Sequence, residues 1–332
     1  MLLVKLLKIV GALGGAAVAL SGVMYIAANG KYPVPKTVDN DPAPPRIEAR
    51  GKLFHGETFG DPSAPALIVI HGGPGWDYKS LLPLKSLSDK YFVVFYDQTG
   101  GGLSPRVDDG KATLRSTLDD LDAMVDKFGQ GRKVSLIGHS WGAMLASAYV
   151  GLHPDKVRRA VLAEPGFFNG DQAKEAGIRF GPLWTWDFMS AATWTMFEAL
   201  HINQPDADAA CDYFMGKVAS QANPEYFCGG KVLPASVDHF RAGTRAMAAI
   251  MKSGMDNDGR FTFDLTDGVD KFTEPVLFIA SQCNQLIGVK QQRKYMTAFP
   301  NARLAIIKGS GHFMFSEKPE QSIAVVREYL GP

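Results

Sequence analysis

Apolar residues along this chain gather in short continuous runs, separated by stretches with helical spacing. Ala66-Leu67-Ile68-Val69-Ile70 is uninterrupted, and so is Tyr91-Phe92-Val93-Val94-Phe95-Tyr96. A strand with one wet face alternates polar and apolar residues; a run without alternation predicts a strand covered on both faces. Leu114, Leu118, Leu121, Val125 and Phe128 recur every three or four residues and predict an amphipathic helix. Val134-Ser135-Leu136-Ile137 predicts the next strand, followed by a helix over 143–150 and a strand over 157–163. Apolar runs from Val276 to Ala280 and from Leu304 to Ile307 resume the pattern. Strands interleaved with helices predict an α/β fold: a doubly wound, mostly parallel sheet with helices on both faces.

Two segments break this rhythm. Lys5 and Lys8 precede an uncharged stretch from Ile9 to Ala28. About 20 such residues match the length of a bilayer-spanning helix. Residues 1–29 are therefore expected to be an N-terminal transmembrane helix or signal segment. The chain would be held in the membrane through residues 9–28, with the rest exported to the periplasmic or extracellular side. Cleavage after Ile26-Ala27-Ala28 and secretion is the alternative. Pro33, Pro35, Pro42, Pro44 and Pro45 then predict a stiff, extended linker over 30–46 leading off the membrane. The second break runs from 167 to 272, where aromatics such as Trp186, Trp194, Phe197, Tyr213, Tyr226 and Phe227 replace the strand runs. It reads as a helical cap inserted between two parts of the core, 47–166 and 273–332.

Composition narrows the chemistry. The 332 residues are 46% hydrophobic and 21% charged with a net charge of +1, which is globular and carries no basic stripe for nucleic acid. Cys211, Cys228 and Cys283 form no C-x-x-C pair, and H-E-x-x-H is absent, so neither pattern of metal site has sequence support. In an exported protein Cys211 and Cys228 can pair, leaving Cys283 free; unpaired buried thiols are the alternative.

The candidate chemistry centres on Ser140, in Gly138-His139-Ser140-Trp141-Gly142. A hydroxyl between a strand and a helix, flanked by glycines, fits a nucleophile exposed on a sharp turn. An ordinary Gly-Ser turn is the bland alternative. Such a hydroxyl needs a base. Of seven histidines, His312 stands after the last apolar strand, in Gly309-Ser310-Gly311-His312-Phe313, and strand ends are where chemistry gathers in such sheets. His71 and His139 are expected to shape glycine-rich turns, and His55, His153, His201 and His239 to be surface or cap residues. His71-Gly72-Gly73-Pro74-Gly75 follows the first strong strand. The backbone N–H groups of Gly73 and Trp141 are the candidate oxyanion hole.

Three motifs in order, His71-Gly72-Gly73-Pro74-Gly75, Asp97-Gln98-Thr99-Gly100-Gly101-Gly102-Leu103-Ser104 and the Ser140 turn, resemble the proline iminopeptidase family of α/β-hydrolases. That family shows HGGPG, DQRGxGxS and GxSWGG; here Thr99 replaces the arginine and Ala143 the last glycine. The resemblance covers about residues 50–332 and implies an aromatic-rich cap helix with a glutamate for the substrate's free amine. Trp194-Thr195-Met196-Phe197-Glu198 looks like that segment, and Glu225 is a looser counterpart of a second cap acid. Surface positions are the plain alternative for both. The triad acid departs from the pattern: Asn284 stands where the family carries aspartate. Glu164 ends the strand beside the Ser140 strand and keeps the serine, acid, histidine order. Some α/β-hydrolases, certain haloalkane dehalogenases among them, supply the acid from this position. Glu164 is thus the candidate acid, with a structural or substrate-binding role as the alternative, and Asn284 a hydrogen-bonding neighbour of His312. The expected function is a serine hydrolase, most simply an aminopeptidase on short peptides, working without a cofactor. A small-molecule esterase or lactonase is the alternative within enzymes. A catalytically silent binding protein on the same scaffold is the alternative outside them.

Overall fold

The structure, a computed structural model, describes residues 2–176, 185–219, 224–231 and 239–331, with side chains from residue 14 onward. Eight strands among these residues form one sheet in the order β1-β2-β4-β3-β5-β6-β7-β8. β1 (Arg46–Ala49) and β2 (Lys52–Phe59) make an antiparallel hairpin, and β2 pairs antiparallel with β4 (Phe92–Tyr96). The rest run parallel: β4, β3 (Ala66–Ile70), β5 (Val134–His139), β6 (Val157–Ala163), β7 (Val276–Ser281) and β8 (Ala302–Ile307). Every residue of β3, β5 and β7 is buried, which is why those runs show no alternation.

One face of the sheet packs on α2 (Leu114–Gly129) and α3 (Trp141–Leu152). Thr113 caps α2 by accepting from the Ser116 N–H, and Leu121, Met124 and Val125 point into the core. α3 is apolar nearly all round, and Trp141 to Val150 are all buried. The other face packs on Leu81 and Leu84 and on Val326 and Leu330 of the C-terminal helix (Pro319–Leu330). After β3 the chain crosses to β4 on one side, then returns to β5 on the other. The order reverses there, and the loops leaving β3 and β5 open a crevice at their carboxyl ends.

Between β6 and β7 lie α4 (Gly170–Glu175), α5 (Trp186–Ala199), α6 (Ala209–Val218) and α7 (Thr244–Ser253). Arg241, nearly buried, ties this segment down. It donates to Asp206, to Asp212 and to the Pro35 carbonyl, while Arg106 from the loop after β4 also reaches Asp212. A buried guanidinium without such partners would be costly, so the network holds α6 and the proline-rich stretch against the core.

The N-terminal expectation is corrected. α1 spans Leu2–Ala27, yet among the described residues no helix is long and apolar enough to cross a membrane. The transmembrane helix, the membrane partner, and the anchored or secreted placement derived from them are withdrawn. The end of α1 is engaged by protein. The Tyr25 ring stacks on His201 at 4.2 Å, His201 Nε2 donates to the Tyr25 carbonyl at 2.9 Å, and Ala28 is buried. The stretch that follows lies on the protein: Thr37 and Val38 are buried, and the Val38 N–H donates to the Leu103 carbonyl at 2.9 Å. The cysteine pairing differs too. Cys228 bonds to Cys283, with Cα atoms 4.9 Å apart, and Cys211 is an exposed free thiol.

Candidate active site

β5 ends at His139 and α3 begins at Trp141, leaving Ser140 alone at the turn. Its backbone sits at φ 54° and ψ −119°, a region that costs a non-glycine residue about 1–3 kcal/mol. Hydrogen bonds on both sides hold it there. The Ser140 N–H donates to the Ala163 carbonyl at 2.8 Å, and its own carbonyl accepts from Ala143 at 3.0 Å and Met144 at 3.2 Å. A side chain at Gly142 would run into the backbone carbonyls of Ile70 and His71, so glycine lets α3 approach the end of β3. Ser140 is half-buried on this strained turn, at the start of α3.

His312 is gripped from every side. Its Nδ1 lies 2.7 Å from Glu164 Oε2. Its backbone N–H donates to the Tyr226 carbonyl at 2.8 Å, and its carbonyl is 2.8 Å from His139 Nε2. The Tyr226 ring stacks on the imidazole at 4.6 Å. His139, beside Ser140, lies with its ring centroid 4.6 Å from that of His312. Burial, with the His312 charge adding to it, pushes the His139 imidazole down to about 3. His139 is therefore neutral at ordinary pH, and its Nε2–H is the donor to the carbonyl.

Glu164 follows β6 with φ 45°, a left-handed residue that turns its side chain under His312. Its carboxyl is completely buried. Oε1 accepts from the Ser281 N–H at 2.6 Å and from the Ser281 hydroxyl. Oε2 accepts from Asn284 Nδ2 at 2.8 Å and faces His312 Nδ1. Each of the roughly four lone-pair sites of a carboxylate thus has a donor, which offsets the cost of burying it. With the carboxylate accepting, the proton of the imidazole belongs on Nδ1, and Nε2 keeps the lone pair a base needs. Asn284 differs from its expected role, since it bonds Glu164 rather than His312. Its Oδ1 is occupied by the Leu286 and Ile287 N–H groups, at 3.0 and 3.1 Å.

The turn after β3 lies against the serine: a side chain at Gly72 would touch the Ser140 Cβ at 3.1 Å. Gly73 has φ 123°, closed to ordinary side chains. Among the described residues, neither the Gly73 nor the Trp141 N–H is spent on another protein acceptor. Gln98 joins the two loops. Its Oε1 accepts from Trp141 Nε1 at 3.1 Å, and its Nε2 donates to the His71 carbonyl at 3.0 Å. Its backbone N–H donates to His71 Nε2 at 3.0 Å, and burial holds that imidazole below its ordinary range, in the neutral form that can accept. Gln98→Leu removes both side-chain bonds and lets the two amides drift apart. Loss of a whole oxyanion donor costs about 10²–10³ in kcat. Steady-state kinetics of Gln98→Leu should show a smaller loss, about tenfold, with KM nearly unchanged; an unchanged kcat would remove Gln98 from this account.

The two cap glutamates sit differently. Glu198 on α5 accepts from Trp194 Nε1 at 3.0 Å and from the Tyr213 hydroxyl at 2.8 Å, so it serves contacts within the helical segment. Glu225 adjoins Tyr226, the residue over His312, and its carbonyl accepts from the Gln285 N–H at 3.0 Å. Desolvation, then the charges of Glu164 and Glu225, hold the Tyr226 phenol above its usual range. Glu225 is next in the chain to Tyr226, whose ring covers the imidazole, whereas Glu198 lies on α5.

A family model described as the α/β-hydrolase fold matches residues 65–319. The chain belongs to the α/β-hydrolase family. It resembles the proline iminopeptidase of Heyndrickxia coagulans, with 26% identity over 279 residues, covering 80% of this chain and 90% of that one. It also resembles the cis-3-alkyl-4-alkyloxetan-2-one decarboxylase of Shewanella oneidensis, with 22% identity over 290 residues, covering 86% and 87%. Among solved structures, the enol-lactonase from Burkholderia xenovorans superposes with a TM-score of 0.61 at 19% identity, covering 86% of this chain and 99% of that one.

For this α/β-hydrolase, several contributors escape a sequence reading. Ser281, Gln98 and Tyr226 act through contacts between residues far apart in the chain. His55, expected at the surface, is buried with Nδ1 2.6 Å from Asp97 Oδ2. Asp97 also accepts from the Tyr78 and Leu103 N–H groups, so it organises the loop after β4. A signal was present in part: Asp97 opens one of the three motifs, and a buried carboxylate there requires donors.

Proposed function

We propose that this α/β-hydrolase is a serine hydrolase that cleaves amide or ester bonds through an acyl-enzyme. The preferred substrate is a short peptide or amino acid amide with a free α-amine, from which the N-terminal residue is released. The observation that carries this reading is the Glu164–His312 pair, 2.7 Å long, beside a serine on a strained turn. Ser140 Oγ attacks the carbonyl while His312 Nε2 takes its proton. The developing oxyanion is received by the Gly73 and Trp141 N–H groups. His312 then protonates the leaving amine, and water repeats the sequence on the acyl-enzyme. Glu164 keeps the imidazole in the right tautomer and stabilises its charged form.

The amine preference draws on the relative named proline iminopeptidase, with Glu198 and Glu225 as the candidate amine ligands. A second reading, a small ester or lactone, draws on the relative named for an alkyloxetan-2-one and on the neighbour named enol-lactonase. An amino acid amide compared with its N-acetyl form separates the two. A site built around an ammonium should lose about 100-fold or more in kcat/KM on acetylation. Equal rates for the two, with faster turnover of short esters, would favour the esterase reading and end the amine assignment.

A further inference from the structure

The segment around Tyr226 is laced to the two loops that carry the histidine and its acid. Tyr226 accepts the His312 N–H at 2.8 Å and lays its ring on the imidazole with 20° between the planes. The next residue, Phe227, is buried and stacks on Phe313 at 5.8 Å. Cys228 then bonds covalently to Cys283. The residue after Cys283 is Asn284, whose Nδ2 holds Glu164, and the Cys283 N–H donates to the Ser310 carbonyl at 2.9 Å, two residues before His312. One covalent bond therefore joins the element covering the imidazole to the loop gripping its carboxylate. Among the described residues 224–231 this segment has no helix or strand beyond two single turns, Pro224–Tyr226 and Cys228–Gly230, so these few contacts and the disulfide hold it.

We propose that Tyr226 is a positioning residue for His312, and that the Cys228–Cys283 bond is its tether, so that turnover depends on the oxidation state of this pair. The inference rests on the serine hydrolase reading and deepens it. Tyr226 works through its ring, which shields one face of the imidazole from water and fixes its plane. When the disulfide opens, Tyr226 can lift away and Asn284 can shift from Glu164. The imidazole then loses its alignment, and misplacement by about 1 Å is enough to cost about 10²-fold in rate. The opening step needs a dithiol. A thiolate of the reagent attacks one sulfur, a mixed disulfide forms, and the reagent's second thiol closes on it. Two electrons and two protons pass to the pair, leaving two cysteine thiols and an oxidised, cyclic reagent.

The test uses the full chain with Cys211→Ser, which removes the one exposed thiol. Fluorophosphonate labelling of the oxidised protein checks the serine hydrolase reading separately, before any reductant is added. Incubation with dithiothreitol is followed by alkylation and mass measurement to count thiols. As two thiols per chain appear, kcat should fall about tenfold or more with KM within about twofold, and should return on reoxidation. Cys228→Ser should show the same loss without reductant. Tyr226→Ala should lose kcat with the disulfide intact, and Tyr226→Phe, which keeps the ring, should restore it. If two thiols appear while kcat holds, or if Cys228→Ser turns over at the parent rate, the tether is refuted. If Tyr226→Ala keeps full kcat, the positioning role is refuted.

Discussion

Ser140→Ala is expected to abolish fluorophosphonate labelling and to lower kcat by about 10⁶-fold. The size of the effect follows from how the machinery is built. In the proposed mechanism His312 and Glu164 act only through the Ser140 hydroxyl, so without it they have no nucleophile to activate. Residual turnover over water, about 10³–10⁴-fold, would come from the oxyanion hole and substrate binding alone. The fold should lose little. The hydroxyl makes no capping hydrogen bond to α3, and the backbone bonds that hold the strained turn belong to the main chain. Melting temperature measured beside kcat therefore separates loss of chemistry from loss of structure. An alanine variant that retains turnover would mean that Ser140 is not the nucleophile.

Glu164→Gln should lower kcat by about 10⁴-fold. A glutamine keeps the size of the side chain and removes the charge. It also replaces an acceptor with a donor at a place where donors already converge. Ser281 offers its N–H and hydroxyl on one side, Asn284 and His312 their N–H groups on the other. Wherever the amide NH₂ points, it meets one of them. Asn284 cannot turn its oxygen round to help, because that oxygen holds the Leu286 and Ile287 N–H groups. The easiest relief is for His312 to carry its proton on Nε2 instead, which leaves no base facing the serine. A buried donor without a partner also costs about 1–3 kcal/mol of stability, so a lower melting temperature should accompany the kinetic loss. Wild-type kcat in this variant would mean that the acid acts elsewhere.

Much of the core was legible because its strands are buried on both faces, and burial on both faces writes an uninterrupted apolar run. β3, β4 and β5 are of this kind. The β1–β2 hairpin was not visible for the opposite reason. Its inward positions include His55 and Gly56, and His55 is buried only because Asp97, 42 residues away, receives its Nδ1. The stretch over 9–28 misled because being uncharged is not the same as being apolar enough to cross a membrane: glycines, alanines and a serine make up much of it. In the site, Glu164 could be picked out from its place at a strand end and from the amide at Asn284. That Ser281 and Asn284 both turn toward the same carboxylate could not, since those contacts join residues 117 and 120 positions apart. The disulfide shows the same limit. Cys228 pairs across 55 residues because the loop after β7 passes beside it, a fact of packing that spacing does not carry.

In the proposed mechanism the acid behind His312 comes from the end of β6. The most direct measurement is kcat for Glu164→Gln and Asn284→Ala, determined side by side on one substrate. Removing Asn284 takes one charge-assisted hydrogen bond from the carboxylate, and should cost only about tenfold. The expected losses are about 10⁴-fold for Glu164→Gln and about tenfold for Asn284→Ala. A large loss for Asn284→Ala, with Glu164→Gln turning over at the wild-type rate, would contradict that mechanism.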